Sequence, residues 1–232
     1  MRQHRWLWFT PVAAFVLRIV GGQLVEGAVD HADAPQVFAA SLLANAETFS
    51  IGIYLVGLSG IAYLWFAWAL WTRLQQAGAS GSAKAALAAG VMWGGLFLVA
   101  AVLAGTAPVL ADYLHDPEGA RLVVNLDLAT APLALTLLGA FALGNGLALR
   151  RTPLIPAWLA WAGILLGSLL VLTAALQPIA EPTVSRSEEE VRNVVSFITG
   201  LTFAGLIPLW TIATGVALFR WEGRTLKAAD AA

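Results

Sequence analysis

The sequence predicts an all-α protein, a polytopic membrane bundle of six transmembrane helices with N- and C-termini in the cytoplasm. Three observations predict it. Of 232 residues, 59% are hydrophobic and only 12% are charged, about half the charged fraction of a soluble domain. The charged residues gather between six long apolar stretches. The basic ones also favour the same ends of those stretches, as the positive-inside rule requires.

The stretches run over about 6–26, 52–72, 85–106, 123–149, 154–176 and 194–219. Each holds the ~20 residues a helix needs to cross ~30 Å of hydrocarbon, whereas a spanning strand needs only ~9–11 alternating residues. The first follows the basic "MRQHR". It reads as an uncleaved span, because no small-residue cleavage site follows it and Arg18 interrupts the region where one would lie. The second ends in "LWTRL" and is joined to the third by "RLQQAGASGSAK". The fourth ends at Arg150 and Arg151, and "RRTPLIP" leads into the fifth. Neither connection is long enough to be a domain, so residues 1–232 read as a single integral membrane domain.

Six spans place both termini on one side. Arg2, Arg5, Arg73, Lys84, Arg150, Arg151, Arg220, Arg224 and Lys227 fall on that side, nine against the three of Arg121, Arg186 and Arg192. That side is therefore the cytoplasm. Trp6, Trp8, Trp65, Trp68, Trp71, Trp158, Trp161 and Trp221 map to the same ends of their spans, at the headgroup level indole prefers.

The outward loops carry helix-start signals ahead of the apolar runs. In "DAPQ", Asp33 is the expected N-cap with Pro35 in the first turn. In "DPEG", Asp116 is the N-cap with Pro117 at the first helical position. In "SEEE", Ser187 stands three residues before Glu190. If helices 2, 4 and 6 run unbroken from these signals to their basic ends, each measures roughly 48–58 Å and carries an extracytoplasmic extension. A break in helix 2 near Ser50 and Gly52 is the alternative.

Arg18 stands alone within the first apolar run. An arginine at the centre of a span costs about 2.5–3.5 kcal/mol on translocon scales, so the fold must supply partners. The acidic candidates in the outer halves of the facing helices are Glu47 and Asp127, with Glu26 above Gln23 on helix 1 itself; Asp127 is expected somewhat above the depth of Arg18, so a direct ion pair needs helix tilt or intervening water. Tyr54 shares a helix face with Glu47, and Asn125 lies beside Asp127. Pro208 and Pro132 free the carbonyls of Ala204 and Leu128 as further acceptors. Arg18, Gln23, Glu26, Glu47, Tyr54, Asn125 and Asp127 are thus expected to surround a polar vestibule open to the outside, with Arg18 at its floor. The competing expectation is that Arg18 fixes the bundle and binds nothing.

Other chemistries fare worse. The chain has no cysteine, which excludes disulfides, thiolate catalysis and iron–sulfur sites. His31 and His115 lie in outward loops among aspartates, but their spacing matches no metal motif and they read as solvated. No Ser–His–Asp set, phosphate loop or nucleotide motif is present. No catalytic residue, metal or cofactor is therefore expected. Gly90–Gly94 and Gly163–Gly167 are small-residue pairs expected to pack helices within the bundle rather than between copies. The partners compatible with this composition are membrane lipids, a small-molecule ligand and a second copy of the chain. The near-zero net charge gives no reason to expect nucleic acid.

The stretch "LIPAWLAWAGILLG" after a basic loop resembles the fifth span of a bacterial family of six-helix membrane proteins known as a domain of unknown function. "SIGIYLVGLSGIAYLWFAWALWTRL" is similar to its second span. The resemblance implies six-helix topology and brings no catalytic residues. With the Ala/Gly/Leu-rich, lysine-poor composition, it points to a bacterial cytoplasmic membrane. The sequence reading favours a non-enzymatic protein that binds or passes a small molecule through the vestibule. An accessory or stress-response subunit without a ligand is the first alternative, and a lipid-modifying enzyme the second.

Overall fold

A computed structural model describes residues 7–30, 33–176 and 197–230, with side chains for all of these except 80, 127–129 and 223–230. Among the described residues every regular element is helical. Six helical segments are long and apolar enough to cross a membrane: Leu7–Ala28, Ala46–Gln76, Gly81–Asp112, Thr130–Leu149, Ala157–Leu176 and Phe197–Glu222. They correspond one to one with the six stretches read from the sequence. The protein is a multi-pass membrane protein of all-helical fold.

The regular elements are α1 (Thr10–Ala28), α2 (Pro35–Ala44), α3 (Ala46–Gln76), α4 (Ser80–Ala104), α5 (Ala107–Asp112), α6 (Pro117–Val124), α7 (Leu126–Leu149), α8 (Ala157–Leu176) and α9 (Ile207–Asp230). Gly78 makes the tight α3–α4 turn with φ 82°, a left-handed conformation that costs glycine little. The amide of Ala79 closes this turn on the Leu74 carbonyl at 2.9 Å. After α7 the backbone tightens through Arg151 to Ala148 and Thr152 to Leu149, both 3.1 Å. Pro153 and Pro156 then keep the chain from continuing as helix until α8 begins.

The structure divides what the sequence allowed to be unbroken helices. α2 ends at Asn45 (φ −118°) and α6 ends at Asn125 (φ −84°), whose amides bond the carbonyls of Ser41 and Arg121. Asparagine favours such ends because its side chain competes for backbone hydrogen bonds. Asn45 donates to the carbonyls of both Ala28 and Ser41. The break in the second apolar segment thus falls at Asn45, and Ser50 and Gly52 lie within continuous helix.

α2, α5 and α6 pack on one another. Their core includes Phe38, Leu42, Ala107, Ala111, Ala120 and Val124, joined by Val29 from the end of α1 and Phe49 from the start of α3. The segments ahead of α3 and α7 therefore belong to a small layer with its own apolar core. Asp116 caps α6 as expected, accepting from the Gly119 amide at 2.9 Å. The expected cap of α2 is corrected: Ala34, not Asp33, is the N-cap. Pro35 takes the first helical position and holds the residue before it extended (ψ 148°). Ser187 and Glu190 lie outside the described residues.

Pro208 falls at the second position of α9, directly after a wide π-helical turn at Thr202–Leu206. A π turn changes the pairing ladder where the proline lacks a donor. Pro132 lies inside α7, and its carbonyl accepts from the Thr136 hydroxyl at 2.8 Å.

The chain forms two compact units. The first comprises Met1–Pro11, Trp65–Met92 and Pro132–Ala232. In it α7 and α8 approach to backbone contact: a Cβ on Gly139 would lie 2.9 Å from the Gly167 carbonyl oxygen, and one on Gly146 2.8 Å from that of Ala160. Gly163 lies under the Trp210 ring, and the Trp210 indole donates to the Leu159 carbonyl at 2.8 Å. Gly90 faces Phe141. Arg73 of α3 and Glu222 of α9 form an ion pair.

The second unit comprises Val12–Leu64 and Trp93–Ala131. Here α1 and α3 touch through their backbones at Gly21 and Gly52, and Gly94 faces Leu64. All four glycines of the two expected pairs are thus occupied by packing within the chain.

Candidate functional site

The second unit contains a cleft of about 100 Å³ built around Arg18. Arg18, Gly22, Val25 and Glu26 lie four, seven and eight residues apart, so they share one face of α1. Ile53 and Val56 of α3, Val124 of α6 and the small residues Ala100, Ala101 and Ala104 of α4 complete the walls. Methyl side chains along α4 leave the space that longer ones would fill. Gly22 has the same effect on α1, since a Cβ there would meet nothing within 4 Å. The neighbouring Gly21 faces the other way and makes the contact with Gly52.

Within the cleft the half-buried guanidinium of Arg18 lies over the Phe97 ring, 4.8 Å from its centroid. A guanidinium on an aromatic face is held by the ring quadrupole and gains strength as water is removed. Phe97 belongs to a short aromatic ladder. Its ring is 4.7 Å from that of Trp93 one turn earlier, and Trp93 is 4.2 Å from Tyr63. The Trp93 indole N–H is buried without a hydrogen-bond partner among the described residues.

At the rim Glu26 is exposed, and the Gln23 side-chain amide stands 3.5 Å from its carboxylate. The cleft therefore offers one cation on an aromatic floor, one anion at its mouth and apolar walls between. Among the described lining residues no nucleophile stands beside a base.

The residues expected around Arg18 are placed differently from one another. Glu26 shares its cleft, and Gln23 pairs with Glu26. Glu47 and Tyr54 are exposed on α3, Tyr54 at 66%, and neither lines the cleft. Asn125 is half-buried at the α6–α7 junction next to the lining residue Val124. The Asp127 side chain lies outside the described residues. Phe97 is the contact the sequence does not single out, because an aromatic ring carries none of the charge or freed-carbonyl signals that mark partners for an arginine. The available signal was its four-residue spacing from Trp93 and Ala101.

A second, acidic depression of about 400 Å³ involves Glu26, Asp30, Asp33 and Ser41. The Ser41 hydroxyl there donates to the Ala28 carbonyl at 3.0 Å. Among the described residues no three histidine, aspartate or glutamate side chains are grouped to hold a metal ion. His115 is exposed and takes a left-handed conformation (φ 52°) just ahead of α6, while His31 lies outside the described residues.

A family described as Domain of unknown function (DUF4386) matches residues 11–215. The chain belongs to this family. The match takes in the whole Arg18 cleft, from α1 to Val124, as well as the stretch at 154–167 on which the resemblance first rested. No curated protein and no solved structure matches the chain. Membership of DUF4386, together with six membrane-length apolar helices, identifies a multi-pass membrane protein from a family of unknown function.

Proposed function

We propose that this DUF4386 protein is a non-enzymatic binding protein of a bacterial cytoplasmic membrane, holding a small amphipathic molecule in an outward-facing cleft. The observation that carries the reading is that Arg18 and Glu26 both line one apolar-walled cleft. A ligand with a polar end meets both charges there, while its apolar part lies along Val25, Val56 and the α4 alanines. The nine-to-three distribution of basic residues supports an orientation with the termini in the cytoplasm and the α2–α5–α6 layer outside.

The cleft's small volume and the seat of Arg18 on Phe97 favour a second reading, in which the arginine fixes the helices of an accessory subunit. Thermal unfolding in detergent separates the two. Decanoate and decyltrimethylammonium serve as anionic and cationic probes below micelle-forming concentrations. Binding in the cleft raises the midpoint of the wild type, and Arg18→Met and Glu26→Gln abolish the rise for decanoate and for decyltrimethylammonium respectively. No rise with either probe, or a rise retained by both variants, rejects the binding reading.

A further inference from the structure

The first unit carries a larger groove, unrelated to the Arg18 cleft. It has a volume of about 540 Å³ and runs between the α7–α8 loop and one face of α9. Leu154, Leu159, Ala213 and Ala217 give it an apolar floor, Trp158 and Trp221 add aromatic walls, and Arg220 contributes a guanidinium. Among the described residues no acidic side chain lines it. Glu222, two residues beyond Arg220, is buried in its pair with Arg73. Arg150 and Arg151 on the same loop are exposed, and Arg150 is held over the Trp161 ring at 4.5 Å. Among the described residues neither Arg151 nor Arg220 has an acidic partner.

The loop joins two membrane-length helices, Thr130–Leu149 and Ala157–Leu176. It therefore lies at a membrane surface whichever way the protein is oriented. Trp158 and Trp161 are 66% and 45% exposed in the first turns of α8, the position of an interfacial aromatic belt. An apolar-floored groove at headgroup depth, with the Arg220 guanidinium in its wall and Arg150 and Arg151 on the loop that borders it, fits one occupant better than any other. We propose that it is a binding site for an anionic phospholipid. The phosphodiester meets Arg220, and Arg150 and Arg151 add to the local positive potential. The glycerol and upper acyl carbons lie on Leu154, Ala217 and the Trp158 ring. Guanidinium suits a phosphate because its planar fork of donors engages two oxygens at once. The apolar floor selects a lipid over a soluble anion.

Native mass spectrometry of the full chain in detergent tests the site, with dioleoyl phosphatidylglycerol, dioleoyl phosphatidylcholine and inorganic phosphate as probes. One phosphatidylglycerol is expected to stay bound at collision energies that strip phosphatidylcholine. Arg220→Gln is expected to weaken its retention about tenfold, the loss of one charged hydrogen-bonded contact. Ala217→Phe fills the floor without changing charge and is expected to abolish retention, so the test does not depend on the arginine variant alone. Equal retention of the two lipids, or retention unchanged in both variants, overturns the proposal. Displacement of the lipid by millimolar phosphate would assign the site to a free anion and overturn it equally.

Discussion

The carboxylate of Glu222 is buried against the guanidinium of Arg73, tying the basic end of α3 to α9. Arg73 is also bonded to Gln76 at 2.9 Å, and about a quarter of its side chain (24%) remains exposed. Removing one partner of a fully buried pair costs about 3–5 kcal/mol, because the other charge is left without compensation. With Arg73 partly solvated, Glu222→Ala and Arg73→Ala should each cost about 2–3 kcal/mol. The double variant should cost clearly less than their sum. Strict additivity in thermal or denaturant unfolding of the detergent-solubilised protein would show that the pair contributes no coupling.

Adjacent glycines in α1 should respond in opposite directions to the same change. A Cβ on Gly21 would lie 2.7 Å from the Gly52 carbonyl oxygen, and one on Gly52 2.8 Å from the Gly21 oxygen. Both obstacles are backbone, so the helices must separate to admit a methyl group. Gly21→Ala and Gly52→Ala should therefore destabilise by about 1–3 kcal/mol, the usual range for overpacking. Gly22→Ala meets nothing within 4 Å and should be neutral or stabilising by up to ~1 kcal/mol through helix propensity. A common response from all three, read from the unfolding midpoint, would contradict the α1–α3 contact.

The contrast between these glycines and the expected pairs shows what the sequence carries. Six spans were legible because length and hydropathy alone mark them. Gly90–Gly94 and Gly163–Gly167 were legible because both members sit on one helix at a fixed spacing. Gly21 and Gly52 belong to different helices, so no spacing announces their contact. Asp116 was readable as a cap from its own side chain and the following proline. The breaks at Asn45 and Asn125 were not, since a lone asparagine in an apolar context is equally compatible with continuing helix. Arg18 marks a candidate site by its isolation in an apolar run. Phe97 does not, because an aromatic residue in a hydrophobic span looks like any other core or lipid-facing residue until its ring is placed under the cation.

That placement makes a graded prediction. A cation–π contact is worth about 0.5–2 kcal/mol, depending on how far it is desolvated. Phe97→Leu keeps an apolar side chain and loses the ring face, so it should destabilise by about 1–2 kcal/mol, packing differences included. Phe97→Tyr keeps the face and should cost less. In an Arg18→Met background the difference between Leu and Phe at position 97 should shrink. An undiminished difference in chemical unfolding would mean that Phe97 contributes packing alone.

Orientation can be read with unusually little background because the chain contains no cysteine. Gln76 and Glu118 are both exposed and flank the membrane-length segment Gly81–Asp112. One crossing separates them, so single cysteines at the two positions must react from opposite sides of the membrane. The distribution of arginine and lysine predicts which side is which. Glu118→Cys should react with an impermeant maleimide in intact cells, and Gln76→Cys only after the membrane is opened. The reversed pattern would keep the spans but turn the Arg18 cleft toward the cytoplasm. Reaction of both from one side would mean that Gly81–Asp112 does not cross, and the six-span topology would fail with it.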